Sequence, residues 1–359
     1  MPDYSRFERT GAVRTVAMGG GTGLSTLLHG LKHYVSISGE PVGSGVVPAI
    51  ADLSAIVTVS DDGGSSGRLR KELNIPAPGD IRNCIVALSD EEDLLSRLFQ
   101  YRFPPGEGLG GHNFGNLFLS AMTAITGSFS QAVKNSSTIL ATRGHIYPAT
   151  TANAQLYAIM DDGSFVRGET NITASDRRIV ELRMAPANAK PLPAAMEAIH
   201  NADLITIGPG SLFTSLVPNL LVRDVARAIA ESHAVKVFVC NLMTQANESL
   251  GLSASDHIRA LYKHARHEFF DYALVNRAPA SAELARKYAE KGQLQIDPDL
   301  EAIAKLGVKP VVGEYLLEEV HPLEGLIARH DTYRVARDLL RLMTSARDPQ
   351  LVAARDARE

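Results

Sequence analysis

Val13, Val16, Ala17 and Met18 form a short apolar run. Gly19, Gly20, Gly21 and Gly23 follow at once, and Leu24, Leu27, Leu28 and Leu31 then fall at i, i+3, i+4 and i+7. That spacing is one face of a helix, so the stretch predicts strand, tight loop, helix. Ala55–Ser60 reads as a buried strand, Leu94, Leu95, Leu98 and Phe99 as an amphipathic helix, and Leu117–Ile125 as a nearly all-apolar, central and buried helix. From Ser137 to Pro186 the period shortens. Gln155–Met160, Asp161-Asp-Gly163 and Ser164–Glu169 read as a β-hairpin with a glycine turn, and Arg178–Met184 as a strand of alternating polarity. Long apolar runs return at Asp203–Ile207, Val235–Cys240 and Asp271–Asn276. A helix over Ala282–Lys291 and a last one carrying Val335, Leu339, Leu340 and Met343 follow. Strands with continuous apolar runs, alternating with helices, belong to a parallel sheet buried on both faces. The fold expected is α/β, a parallel sheet with an antiparallel β segment of about residues 137–186 inserted in it.

A chain of 359 residues with 45% hydrophobic content has ample material for a core. Its formal charge of −4 is spread without a basic stripe, which argues against nucleic-acid partners and membrane-surface helices. The two cysteines, Cys84 and Cys240, lie far apart in apolar sequence and are expected as buried free thiols of a reducing compartment. With no apolar leader and no run long enough to span a bilayer, a cytoplasmic location is expected. Residues 1–11 read as a frayed leader, the Gly/Ser/Pro-rich stretch 38–48 as a mobile loop without function, and 344–359 as a flexible tail beyond a single domain of residues 12–343.

Candidate chemistry gathers where strands end in polar, glycine-rich loops. A first strand turning into a helix directs unpaired backbone N–H groups and the positive dipole end outward, and glycine lets a phosphate come close. Gly20, Gly21, Thr22 and Gly23 are therefore candidate phosphate ligands. Leu24 breaks the dinucleotide fingerprint, and no Gly-Lys-Ser/Thr follows. The second loop, Asp61-Asp-Gly-Gly-Ser-Ser-Gly-Arg-Leu-Arg70, offers carboxylates, the Ser65 and Ser66 hydroxyls and an anion clamp in Arg68. Asp61 and Asp62 could hold Mg²⁺ on phosphate oxygens, accept hydrogen bonds from sugar or base, or be turn residues. Asp80, Arg82 and Asn83 read equally as an N-cap with its salt bridge or as ligand contacts. His112 and Asn116 sit in a glycine-rich loop before a helix. With no second His or Cys at ligand spacing, His112 suits a hydrogen bond to substrate or a neighbouring loop better than a metal. Gly208, Gly210 and Ser211 form a third strand-end loop, and Asn241 and Thr244 end a further strand. Such strand ends converge on one sheet edge, where open α/β sheets bind ligands.

The motifs together resemble the gluconeogenesis factor family, the bacterial branch of the group that contains phospholactate transferase. They are Gly-Gly-Gly-Thr-Gly-Leu (19–24), Ala-Ile-Val-Thr-Val (55–59), Asp-Asp-Gly-Gly-Ser-Ser-Gly-Arg-Leu-Arg (61–70) and Pro-Gly-Asp-Ile-Arg-Asn (78–83). Further on come Gly-Asn-Leu (115–117), Ile-Gly-Pro-Gly-Ser-Leu (207–212), Ser253-Ala-Ser-Asp-His257 and Arg-His-Asp (329–331). The chain departs from the pattern over 37–51, which reads as an insertion, and at Gly111-His-Asn-Phe. The resemblance implies a Rossmann-like, three-layer cytoplasmic protein that binds a nucleotide sugar of the UDP-N-acetylglucosamine type. It also implies links to cell shape and wall-precursor metabolism during growth on gluconeogenic carbon sources, with no reaction firmly implied. Tyr288, stacking on uracil, and Arg329, pairing with diphosphate, join the pocket on this reading; the alternative for Tyr288 is an exposed helical tyrosine. Two function classes follow. One is a non-catalytic sensor, requiring no cofactor, whose occupancy is read by protein partners in cell-wall regulation. The other is a transferase in which Asp61 or Asp62 holds Mg²⁺ and Arg68 stabilises charge in phosphoryl transfer. A homo-oligomer is the expected assembly.

Overall fold

The computed structural model describes residues 12–36, 47–90, 94–322 and 324–345. The leader and the 38–46 part of the loop read as mobile lie outside these residues. So does the tail beyond Ser345, where the last helix, Thr332–Ser345, ends.

Among the described residues twelve strands form: β1 (Val13–Gly19), β2 (Ile50–Val57), β3 (His145–Pro148), β4 (Gln155–Met160), β5 (Phe165–Arg167), β6 (Ile179–Ala185), β7 (Leu204–Ile207), β8 (Val235–Val239), β9 (Tyr272–Asn276), β10 (Lys309–Gly313), β11 (Leu316–His321) and β12 (Gly325–His330). Seven make one parallel sheet in the order β10-β9-β8-β7-β1-β2-β3. Side chains alternate across it. Val16 and Met18 face one apolar layer, with Ile205, Ile207 and Phe238. Val13 and Ala17 face the other, with the Leu24, Leu27, Leu28 and Leu31 stripe of helix Gly21–Leu31. Both faces are covered, which is why these strands read as continuous apolar runs. The chain winds from β1 outward to β3, then returns to pair β7 with β1 and winds the other way. The order is that of a doubly wound Rossmann-type sheet, and its reversal between β1 and β7 opens a crevice at their C-terminal ends.

The small antiparallel sheet, order β5-β4-β6, is separate. Its β4 alternates buried Leu156, Ala158 and Met160 with outward residues, and these join the layer containing Val16. The antiparallel segment thus begins at Gln155, not near 137. Residues 145–148 form the edge strand β3 of the main sheet, paired parallel with β2, and residue 169 opens a short helix, Glu169–Ala174. Four residues are too few for a period to show. Helix Phe114–Thr126 is peripheral, not central: Leu119 and Ser120 face in while Ile125 is 79% exposed. Its length of apolar sequence reflects helix propensity on the outer face as much as burial. Cys84 and Cys240 are buried and free. Among the described residues no helix is long and apolar enough to cross a membrane.

Candidate functional site

The β1 and β7 loops touch at the crevice. The Gly208 amide donates to the Met18 carbonyl at 3.1 Å. A Cβ on Gly23 would lie 2.4 Å from the Pro209 carbonyl oxygen, so only glycine allows this approach. Asn219 bridges the Gly19 carbonyl (3.0 Å) and the Ser215 carbonyl (2.8 Å) from beneath. The cavity above the loops holds about 440 Å³. Of the residues expected at the site, Gly20, Gly21, Thr22, Gly23, Gly210, Ser211, Asn241, Thr244, Tyr288 and Arg329 line it.

The two glycine loops differ in what their amides do. The Gly210 N–H and C=O are both taken by the Asn241 side chain, at 2.9 and 2.8 Å. The Phe213 and Thr214 amides donate to buried Glu248, at 2.9 and 2.8 Å. Burial pushes the Glu248 carboxyl up and those amides pull it down. Glu248 therefore fills the anion position that Gly208–Ser211 was expected to offer. Gly208 itself is packed under the loop, where a Cβ would lie 2.5 Å from the Val239 carbonyl oxygen. Asn241 is a positioning residue. At helix Gly21–Leu31 the situation is the reverse. Its N-cap residue, Gly20, has no side chain to cap it and its first turn carries no acid. Gly21 sits at φ +59 and gives its amide to Asp80. The Thr22 and Gly23 amides have no acceptor among the described residues and face the cavity.

Lys287, Lys291 and Arg329 line the same cavity. Lys287 donates to the Glu324 and Leu326 carbonyls, and the Tyr288 hydroxyl accepts from the Ala328 amide at 3.1 Å. Helix Ala282–Ala289 is thereby tied to β12, which roofs the cavity. Tyr288 is half-buried, not an exposed helical tyrosine. Thr244 accepts from the Leu294 amide, and Gln245 donates to the Ser211 hydroxyl at 2.9 Å, leaving its carbonyl buried and unpaired. The strand-end Asn276 is spent on backbone groups: it bonds Ala278 in its own loop and accepts from the Tyr315 and Leu316 amides just past β10.

Beyond Gly21 the crevice turns acidic. Asp80 accepts from Gly21, and burial, then the Asp61 charge, push it up to about 7. Burial raises Asp61 against its bond from the Gly63 amide (2.8 Å), and raises Glu169 well above the usual carboxylate range, with Asp61 and Asp80 adding to the rise. Asp62 turns the other way and accepts from the Thr170 amide and hydroxyl, at 2.8 and 2.7 Å. Among the described residues no group of three or more His, Cys, Asp and Glu is arranged for a metal ion. Any cation at Asp61 and Asp62 therefore needs ligand oxygens to complete its shell.

Ser65 bonds His112 Nδ1 at 3.1 Å and Asn116 donates to Ser66 at 3.4 Å, so these four dock the 64–73 helix on the His112 loop. The neighbouring-loop role of His112 is the one realised. Arg68 is exposed and donates to the Gly110 carbonyl at 2.8 Å, outside the cavity. Asn83 accepts from Arg82 and lines a different groove. Buried Arg70, unexpected from the sequence, binds Ser60, Asn153 and Ala154. Glu169 and Glu248, also unexpected, carry no local sequence signal. Lys287 could have been found as the neighbour of Tyr288 on one helix, and Lys291 lies in the turn just past its end.

The family model described as 2-phospho-L-lactate transferase CofD matches residues 15–316. Gluconeogenesis factor of Bacillus subtilis is 45% identical over 325 residues, covering 90% of this chain and 96% of that protein. Its namesake in Halalkalibacterium halodurans is 44% identical over 325 residues, covering 90% and 95%. The crystal structure of protein BH3568 from Bacillus halodurans, of the UPF0052 family, superposes with a TM-score of 0.84 at 43% identity, covering 92% of this chain and 99% of that one. A family match over residues 15–316 and identity at this level over nine-tenths of the length mean that the chain belongs to the CofD family, among the proteins called gluconeogenesis factors.

Proposed function

We propose that the cavity at the β1/β7 crevice binds a nucleotide sugar of the UDP-N-acetylglucosamine type and that the protein is a regulatory sensor of it. The observation that carries this reading is the pair of unclaimed Thr22 and Gly23 amides at a helix N-terminus, in a cavity also lined by Lys287, Lys291 and Arg329. Helix amides and fixed cations together match a diphosphate. The Tyr288 ring and the side-chain amides of Gln245 and Gln293 suit a base, and the Glu324 carboxylate in the same lining suits sugar hydroxyls. Protein partners in cell-wall regulation, a role in cell shape on gluconeogenic carbon sources, further copies of the chain and a cytoplasmic setting belong to the same reading.

Calorimetric titration with UDP-N-acetylglucosamine in excess EDTA tests it. The sensor binds, the ligand is recovered unchanged by mass analysis, and Arg329→Ala weakens binding by about tenfold or more. Absence of binding in the parent protein overturns the reading.

A transferase reading is favoured by one observation, the mutual repulsion of Asp61, Asp80 and Glu169 next to the phosphate-facing loop. Mg²⁺ shared by Asp61, Asp62 and phosphate oxygens would neutralise it and would stabilise charge on a transferring phosphoryl group when bound. Conversion of the nucleotide only with Mg²⁺, lost in Asp61→Asn, distinguishes this reading from the sensor.

A further inference from the structure

Helix Gly21–Leu31 separates the nucleotide cavity from a larger groove of about 1050 Å³ on its other side. Helices Gly79–Leu88 and Leu94–Gln100 and the β11–β12 hairpin contribute its walls. The two spaces meet at Thr22, Arg329 and His330, which line both. The described lining of the groove carries the guanidinium groups of Arg82, Arg97, Arg102 and Arg329 against one carboxylate, Glu319. None of the four arginines has a carboxylate of a described residue within ion-pair distance. The Arg82 Nε–H is buried without an acceptor. Burial, then repulsion from Arg102, lowers the Arg82 guanidinium to about 10. Like charges held together and a buried donor left unmet both cost free energy. An anion seated among the guanidinium groups removes the first of these costs.

We propose that this groove is a second ligand site that takes a small organophosphate of the sugar-phosphate class, its phosphate held by Arg82, Arg97 and Arg102. Walls on several sides suit a small ligand, and the amides of Asn83 and Gln100 suit the hydroxyls beyond its phosphate. Because Arg329 serves both spaces, an anion in one changes the field in the other, and the two affinities are coupled reciprocally. Occupancy of the groove itself does not depend on the nucleotide reading.

The probe is glucose 6-phosphate, with glucose as the neutral control, titrated by calorimetry into the full chain alone and into the chain saturated with UDP-N-acetylglucosamine. The phosphate is expected to bind both forms one to one, and glucose to give no heat. Arg97 is exposed, so Arg97→Ala and Arg97→Glu should melt like the parent. They should weaken the phosphate by about tenfold and about a hundredfold, respectively, and leave the nucleotide within about twofold. No binding of glucose 6-phosphate to the free chain overturns the proposal. Equal binding of glucose, binding that Arg97→Glu leaves intact, or displacement by the nucleotide does so too. If the nucleotide itself does not bind, the nucleotide reading falls, while the free-chain titration still decides on the groove.

Discussion

Asp80 shows how one side chain joins the two halves of the crevice. Its carboxylate accepts from Gly21 in the β1 loop and feels the charge of Asp61. Folding raises it from about 3.9 in the unfolded chain to about 7. Between those values the folded chain keeps a proton that the unfolded chain has lost, so stability falls as pH rises from about 4 to about 7 and stays at its reduced level above. Asp80→Asn keeps the acceptor for Gly21 and removes the charge. It should be more stable than the parent at pH 8 by about 2 kcal/mol, the partial exposure of the group screening the rest, with the difference gone by pH 4. Thermal melts across that range check it. Asp80 was legible as a polar residue between apolar ones. Its partner was not, because Gly21 lies 59 residues earlier and only packing brings the two together.

At the scale of elements, two strand-end glycine loops that look alike do opposite work. The β1 loop leaves amides open, while the β7 loop has them filled by Glu248 and Asn241. Glu248→Ala strands two buried amides and should cost about 3 kcal/mol in urea unfolding, with Glu248→Gln recovering most of it. Gly23→Ala pushes a methyl into the Pro209 carbonyl. It should cost about 1–3 kcal/mol in the same measurement and weaken nucleotide binding by parting the loops. The Ser253–His257 motif proves to be structural. Ser253 and Asp256 form a capping box, and Asp299 accepts from Ser253 and Ser255. A short polar motif at a helix start carries the same letters whether it caps or binds, so its role could not be read from letters alone.

Over the whole molecule, the reversal of strand order between β1 and β7 makes the crevice, and the short helix Glu169–Ala174, inserted between β5 and β6, flanks its acidic half. Asp62 reaches that helix at Thr170, and Arg70 ties Ser60, just past β2, to Asn153 and Ala154 just before β4. Arg70→Ala leaves three acceptors without their donor. It should cost about 3 kcal/mol by urea unfolding and loosen the acidic half of the crevice. The strands β1, β2, β7, β8 and β9, the helices that follow β1 and end the chain's described part, and the inserted hairpin were readable from local periods, whereas the four-residue edge strand β3 was not. The β10 strand and the β11–β12 hairpin were not, because they carry mixed, half-exposed residues with no clean alternation. Yet β12 supplies Arg329 and the roof over the phosphate-facing amides.

The sequence alone determined what is local: which runs make strands, where glycine permits close approach, and that polar groups stand at strand ends. Tertiary structure decided which of those ends meet, because strand order is set by crossovers that no local period encodes. It also decided which amides stay open, because the acceptors that close the others come from Glu248 and Asn241, each at least 31 residues away. The basic groove beside helix Gly21–Leu31 has the same origin. Its arginines stand on three separate segments, and like charges came together there because packing of the apolar faces beneath them outweighed their repulsion.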